Sequence, residues 1–356
     1  MPENYRVLVG GAGGSAGINF IASLRMAAGP LHIVGSDSNL WHLELSDINA
    51  AYVVPRCLDP AYLDSVHRII RKEGIEVLHA QPDVEVEVVS KHRDEFAAAT
   101  FLPDHETVVR CHDKMATNLA LQKMGVPAPK SFLVDQLSKL GGILEKLGTT
   151  RGPVWVRAVR GAGSRAALPV RTVRQAREWI HYWRTMRELE SRDFMVSEFL
   201  PGREFAFQSL WKDGELITSQ ARERLEYVFG NLSPSGQSSS PSVAVTVSDP
   251  RVNDVAEKAV RAVCPKPHGV FCVDLKENAE GSPCVTEVNV GRFFTTSNFF
   301  SKLGCNMPYL MVRLARGDSI PPVPQYDAVP PGFYWVRLMD GGPILVRDGE
   351  WRGKKP

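Results

Sequence analysis

No stretch of the chain reaches the roughly 20 consecutive apolar residues that a membrane-spanning helix requires. Apolar residues nevertheless make up 44% of the 356, so a globular fold without a membrane partner is expected. Cysteine is sparse: Cys57, Cys111, Cys264, Cys272, Cys284 and Cys305 are scattered and include no C-x-x-C pair. That spacing suggests neither a zinc site nor a disulfide framework, and it fits reduced thiols in a cytosol. An excess of one charge is also missing, because 42 Lys and Arg against 40 Asp and Glu leave a net charge of +2. No basic run is interleaved with aromatics, and no nucleic-acid partner is expected. The first residues lack a basic flank followed by an apolar run and a small-residue cleavage site, so the expected location is cytoplasmic.

What is present is an alternation of strands and helices. An apolar run at 6–10 leads into Gly11, Gly14 and Gly17 in G-x-x-G-x-x-G spacing, and an apolar-periodic segment follows at 18–26. Strands are expected at 31–36 and 52–55, a helix at 60–73 and a further strand at 76–80. This order predicts a doubly wound parallel sheet. Its glycines admit two readings. One is a dinucleotide fingerprint with Asp37 on a ribose hydroxyl, as in an NAD(P)-dependent oxidoreductase. The other is close packing of turn and helix, with an anion at the helix N-terminus.

The chemistry-bearing residues come later. Asp113 is a helix N-cap for 113–124, which places Lys114 in the first turn, where the helix dipole disfavours a cation. A phosphate would explain it. A strand at 153–159 carries Arg157 and runs into Arg160, Gly161, Ala162, Gly163, Ser164 and Arg165, with another strand at 166–170. Backbone N–H groups of such a Gly-rich loop can fold over phosphates, although an ordinary hairpin loop would read the same way. An aromatic-rich helix is expected at 172–189, and a strand at 194–199 carries Glu198 and Phe199. After the kink at Leu200, Pro201 and Gly202, Lys212-Asp213-Gly214 turns a hairpin between strands at 203–211 and 215–222, with Glu204 on the first and Arg222 on the second.

Beyond a Ser/Gly/Pro-rich loop at 230–242 and a helix at 249–263, two more strands are expected at 268–276 and 283–289. Side chains alternate along a strand, so Glu287 and Asn289 share a face that Asp274 can join from its neighbour. Two carboxylates and an amide oxygen suit Mg²⁺, a hard cation that prefers oxygen. Arg292 follows, with a fork that fits carboxylate or phosphoryl oxygens. A C-terminal hairpin, 333–338 and 343–346 around Asp340, Gly341 and Gly342, is expected to pack on the body, with a dimer contact as the alternative; Lys354 and Lys355 give it a basic end.

The ordered set Lys114, Arg157 with its loop, Glu198 to Glu204, Asp274 and Glu287-Val288-Asn289 resembles the ATP-grasp superfamily. In style it is similar to one synthetase unit of the carbamoyl phosphate synthase large subunit. The fold this implies is α/β: an N-terminal doubly wound parallel-sheet (pre-ATP-grasp) domain at 1–112, then an ATP-grasp fold of two α+β subdomains at 113–320. The lid subdomain would span about 128–197, with a C-terminal hairpin and tail at 321–356. The resemblance implies that Lys114 and Arg157 hold ATP phosphates under the loop Gly161, Ala162, Gly163 and Ser164. Glu198, Phe199 and Leu200 would border the adenine, and Glu204 would take the ribose hydroxyls. Asp274, Glu287 and Asn289 would hold Mg²⁺, or Mn²⁺ in its place, while Arg222 and Arg292 would orient the acid.

The motif departs from the synthase in two places. Gly291 is extra where the synthase has a proline directly followed by arginine, and Thr295 stands where a second arginine is expected. Those arginines serve bicarbonate and carbamate, so the expected reaction is instead an ADP-forming ligation of a small carboxylate to a small amine through an acyl phosphate. The alternatives are a carboxyphosphate- or carbamoyl phosphate-forming synthetase, an NAD(P)-dependent oxidoreductase and a nonenzymatic nucleotide sensor.

Overall fold

A computed structural model describes residues 5–148, 152–161, 163–164, 166–238, 240–338 and 342–348. Ala162 and Arg165 of the Gly-rich loop, Asp340 and Gly341 of the C-terminal turn, and Lys354 and Lys355 lie outside the described residues.

The N-terminal sheet is parallel, built from β1 (Tyr5–Gly10), β2 (Leu31–Asp37), β3 (Ala50–Val53) and β4 (Val77–Ala80) in the order β3-β2-β1-β4. Val7, Leu8 and Val9 of the inner strand are fully buried, which is why β1 reads as a continuous apolar run rather than an alternation. The glycines after β1 serve close approach. A Cβ on Gly17 would stand 2.3 Å from the Gly11 carbonyl oxygen, so the helix Ser15–Arg25 rests directly on the turn.

A second, antiparallel sheet consists of β5 (Ser131–Leu133), β6 (Val154–Ala158), β7 (Leu168–Val170) and β8 (Phe194–Glu198), in the order β5-β8-β6-β7. Helices Leu140–Leu147 and Val173–Arg187 cover it. The latter opens with a capping box, in which Thr172 accepts from the Gln175 N–H while the Gln175 side chain accepts from the Thr172 N–H. This unit has a core of its own, drawn entirely from residues between Val134 and Val196.

The third sheet has seven antiparallel strands: β9 (Glu204–Lys212), β10 (Glu215–Tyr227), β11 (Pro241–Val247), β12 (Gly269–Glu277), β13 (Pro283–Val290), β14 (Phe333–Leu338) and β15 (Gly342–Arg347). Their order is β13-β12-β9-β10-β11-β14-β15. Asp213 and Gly214 turn the β9–β10 hairpin with φ of 54° and 98°, the left-handed pair that a two-residue turn between twisted strands needs. The C-terminal hairpin packs on the body as expected, by extending this sheet through β11, and Trp335 on β14 is fully buried. β11 and the helices Asp83–Lys91, His105–His112 and Met307–Ala315 have no counterpart in the sequence reading.

The first and third sheets share their cores. Leu8, Val34 and Leu78 pack in one cluster with Phe207, Phe271, Val288 and Val290, together with Val252, Ala256 and Val260 of the helix Pro250–Val263. Among the described residues, no helix is long and apolar enough to cross a membrane.

Candidate active site

A cavity of about 700 Å³ lies where the three sheets meet. Its walls come from the glycine turn after β1, the start of helix Asp83–Lys91, strands β6 and β8, and the edge of the large sheet formed by β12 and β13. Lys114, Arg157, Gly161, Gly163, Ser164, Glu198, Phe199, Leu200, Glu204, Asp274, Glu287, Asn289 and Arg292 all line it. Residues more than 170 positions apart in the chain, from Lys114 to Arg292, thus share one cavity.

Register explains the acidic end. β12 and β13 are antiparallel with Asp274 opposite Glu287 and Cys272 opposite Asn289, and a bulge follows between Asp274 and Leu275. Asn289 Nδ2 donates to Asp274 Oδ2 at 3.0 Å, and Asn289 Oδ1 accepts from Arg292 at 2.6 Å. Burial pushes the Asp274 carboxyl up, and the facing Glu287 charge adds to it against the pull of Arg224. The oxygens of Asp274, Glu287 and Asn289 therefore suit a hard divalent cation that relieves this crowding and completes its shell with ligand oxygens. Among the described residues no group of three or more His, Cys, Asp and Glu side chains is arranged to hold a metal ion, so a cation on Asp274 and Glu287 would draw its remaining ligands from Asn289 and from a bound molecule.

Cations stand around this pair. Lys114, only 8% exposed, is 3.2 Å from Glu287 Oε1 and donates to the Gly161 carbonyl oxygen at 2.6 Å, so it joins the carboxylate to the Gly-rich loop. Asp113 caps its helix by accepting from the Ala116 N–H, as the sequence predicts. Arg157 donates to the Thr286 carbonyl oxygen at 2.8 Å; burial pushes its guanidinium down, opposed by the charges of Glu287 and Asp274. Arg292 forms an ion pair with Asp83. Burial raises the Asp83 carboxyl, but the Arg292 charge and hydrogen bonds outweigh it and hold the group below its ordinary value.

Gly291, the extra residue in the motif, has φ +71°, and a Cβ there would lie 2.7 Å from Val86 and 2.8 Å from Leu102. A glycine is what lets the chain turn sharply at the end of β13 and deliver Arg292 to Asp83.

Solved structures with this architecture are known. The L-amino acid ligase from Bacillus licheniformis superposes with a TM-score of 0.68 at 15% identity, over 94% of this chain and 79% of that one. N5-carboxyaminoimidazole synthase from Aspergillus clavatus, in complex with ADP and 5-aminoimidazole ribonucleotide, gives 0.69 at 15% identity over 94% and 82%. The biotin carboxylase domain of Hydrogenobacter thermophilus 2-oxoglutarate carboxylase, in complex with MgADP, ADP and bicarbonate, gives 0.69 at 15% identity over 93% and 73%. No protein-family model matches the chain.

The chain has the ATP-grasp fold. Within the ATP-grasp cavity the structure departs from the sequence reading at Arg222. This side chain is fully buried behind Phe294, its guanidinium 4.9 Å from the Phe294 ring and 5.3 Å from that of Phe300, and it does not line the cavity. None of its three guanidinium nitrogens has a hydrogen-bond partner among the described residues, and burial pushes the group down to about 9. Arg224, two residues on and therefore on the same strand face, takes the place facing the cavity.

Other contributors to the ATP-grasp cavity escaped the sequence reading. Trp155 on β6 faces Phe199 at 6.3 Å and supplies an aromatic wall. Glu204 is gripped by Tyr227, by Gln237 at 2.8 Å and by Lys276 at 3.4 Å as well as by Arg224. The Ser/Gly/Pro-rich loop at 230–242 thus reaches Glu204 through Gln237. Asp37 spends both carboxylate oxygens on the N–H groups of Gly13 and Asn39, which ties the glycine turn in place.

Proposed function

We propose that this protein is an Mg-ATP-dependent, ADP-forming ligase that phosphorylates a small carboxylate and passes the acyl group to an amine. The observation that carries this reading is the opposed pair Asp274 and Glu287 within one cavity with Lys114, Arg157 and Arg292. The solved structures cited above that share the fold are a ligase, a synthase and a carboxylase domain, two of them holding ADP. Residues 1–112, 113–320 and 321–356 would act as the supporting domain, the grasp and a closing hairpin.

A carboxylate is a poor electrophile, and phosphorylation gives it a good leaving group. The chain's part in that step is placement and charge neutralisation rather than covalent chemistry. Lys114 and Arg157 would hold the phosphates, with Gly161, Gly163 and Ser164 closing over them. Trp155 and Phe199 would flank the adenine, which Glu198 and Leu200 border, and Glu204 would take the ribose hydroxyls. Asp274, Glu287 and Asn289 would hold Mg²⁺, which neutralises charge on the phosphoryl oxygens when bound. Arg292, fixed by Asp83, would orient the acid, with Arg222 behind Phe294 contributing positive charge. Closure of the lid, which has its own core, would exclude water from the acyl phosphate.

Incubation with Mg-ATP, pooled carboxylates and hydroxylamine tests the reading, because hydroxylamine intercepts acyl phosphates. Hydroxamate in step with ADP is expected. Neither product, together with no binding of Mg-ATP, would overturn it. The second reading is formation of carboxyphosphate. It is favoured by the bicarbonate held in the biotin carboxylase structure of the same fold, and it predicts bicarbonate-dependent ADP release without hydroxamate.

A further inference from the structure

Arg224 touches both ends of the proposed nucleotide site. Its Nη1 lies 3.3 Å from Glu204 Oε1 and its Nη2 lies 2.5 Å from Asp274 Oδ1. The side chain is 10% exposed, packs against the Phe294 ring at 5.1 Å, and its Nε has no hydrogen-bond partner among the described residues. Register fixes this reach: Glu204 on β9 stands opposite Arg224 on β10, and Asp274 on β12 stands opposite Ala206 of β9, two positions along.

Asp274 divides its oxygens, Oδ1 to Arg224 and Oδ2 to Asn289. A divalent cation on Asp274 and a guanidinium at hydrogen-bond distance compete for the same lone pairs and repel each other. Ribose hydroxyls compete with the same guanidinium at Glu204. A metal ion arriving alone would strand a buried arginine with one carboxylate lost, which is unfavourable. A nucleotide changes that balance, since its phosphates offer the displaced guanidinium a new anion.

We propose that Arg224 is a positioning residue that couples nucleotide binding to metal binding. Its guanidinium holds Glu204 and Asp274 together and yields both when ribose and divalent ion bind together, so that the metal binds tightly only with the nucleotide. The inference rests on the proposed metal role of Asp274 and Glu287 and on the ribose role of Glu204. It goes beyond them in making Arg224 the link, and coupling of this kind is reciprocal.

The test is titration with Mn²⁺, read by the paramagnetic resonance of the free ion, with and without saturating ADP and against protein-free Mn²⁺–ADP controls that subtract chelation by the nucleotide, on wild type, Arg224→Gln, Arg224→Lys and Glu287→Gln. Wild type is expected to bind Mn²⁺ at least about tenfold tighter with ADP, a coupling of ordinary size. Arg224→Gln is expected to bind Mn²⁺ alone about tenfold tighter than wild type, so that its enhancement by ADP falls about tenfold below that of wild type, leaving only the part due to direct coordination by the phosphates. Arg224→Lys, whose single ammonium cannot span both carboxylates, should lose much of the ADP dependence and serves if Arg224→Gln does not fold. Wild-type coupling in either folded Arg224 variant overturns the inference. Glu287→Gln should lose Mn²⁺ with and without ADP. If it instead binds like wild type, the metal site itself is wrong, whereas loss in Glu287→Gln alongside unaltered coupling in the Arg224 variants overturns the link alone.

Discussion

Asp83 and Arg292, 209 residues apart in the chain, form an ion pair that ties the first helix after β4 to the end of β13. The pair is mostly buried, with side chains 22% and 12% exposed, and Arg292 also donates to Asn289. Removing one member leaves the other charge uncompensated. Asp83→Asn should cost about 3 kcal/mol of stability, in the range for breaking a buried pair, and should reduce turnover as Arg292 loses its orientation. Urea denaturation checks the first part; a midpoint equal to wild type would mean that the pair does not anchor the sheet.

Arg222 presents the opposite case. Its buried guanidinium has ring contacts but no hydrogen-bond acceptor. Arg222→Met keeps a flexible unbranched side chain of apolar character and removes the charge, so thermal unfolding should show a gain of about 1–3 kcal/mol. If Arg222 also serves the acid, hydroxamate formation should fall in the same variant. A gain in stability with full turnover would assign Arg222 to packing alone.

Gly291 carries the turn that delivers Arg292. Gly291→Ala forces a methyl into Val86 and Leu102 at a φ of +71°. Strain and overpacking together should cost about 2–4 kcal/mol. Calorimetry on the purified variant checks this, and a loss below about 1 kcal/mol would show that the turn has slack.

Glu85 gives the pH dependence. Its carboxyl is fully enclosed against Gly10 and accepts a hydrogen bond from Tyr62. Burial pushes it up from an ordinary 4.5 to about 7, with Tyr62 opposing and Asp37 reinforcing the shift. A carboxyl raised in the folded state favours folding while protonated. That contribution is complete below about pH 4.5 and is lost as pH rises through about 7. In Glu85→Gln the loss is absent, so the variant should gain on wild type by about 3 kcal/mol between about pH 5 and pH 8. Unfolding curves at the two pH values that run parallel for both proteins would contradict this.

Much of this was legible in the sequence because the decisive residues sit on strands, where alternation fixes a face. Alternation alone puts Glu287 and Asn289 on the face that Asp274 joins, and the register sets Asp274 opposite Glu287. Asp113 announced its helix as an N-cap, through a local hydrogen bond that depends only on neighbouring residues; the capping box at Thr172 and Gln175 offered the same kind of signal. The failures are of three kinds. β11 follows a Ser-rich loop and is stabilised by partners far along the chain, on β10 and β14, so its local pattern carried little signal. The helix Asp83–Lys91 contains alternating valines that suit a strand, and it is helical because Val86 and Val89 pack inward on the sheet. Alternation puts Arg222 and Arg224 on one face, but only packing shows that Phe294 stands between Arg222 and the cavity.

The core that Leu8, Val34 and Leu78 share with Val288 and Val290 sets an order on biosynthesis. The parallel sheet near the N-terminus leaves the ribosome early, yet part of its apolar covering is encoded at least 170 residues later, in β13 and the helix Pro250–Val263. A nascent chain halted before that point carries an uncovered hydrophobic face, the kind of surface that holdase chaperones bind. The enclosed core of residues between Val134 and Val196 needs no such wait, and can mature while the rest is still being translated.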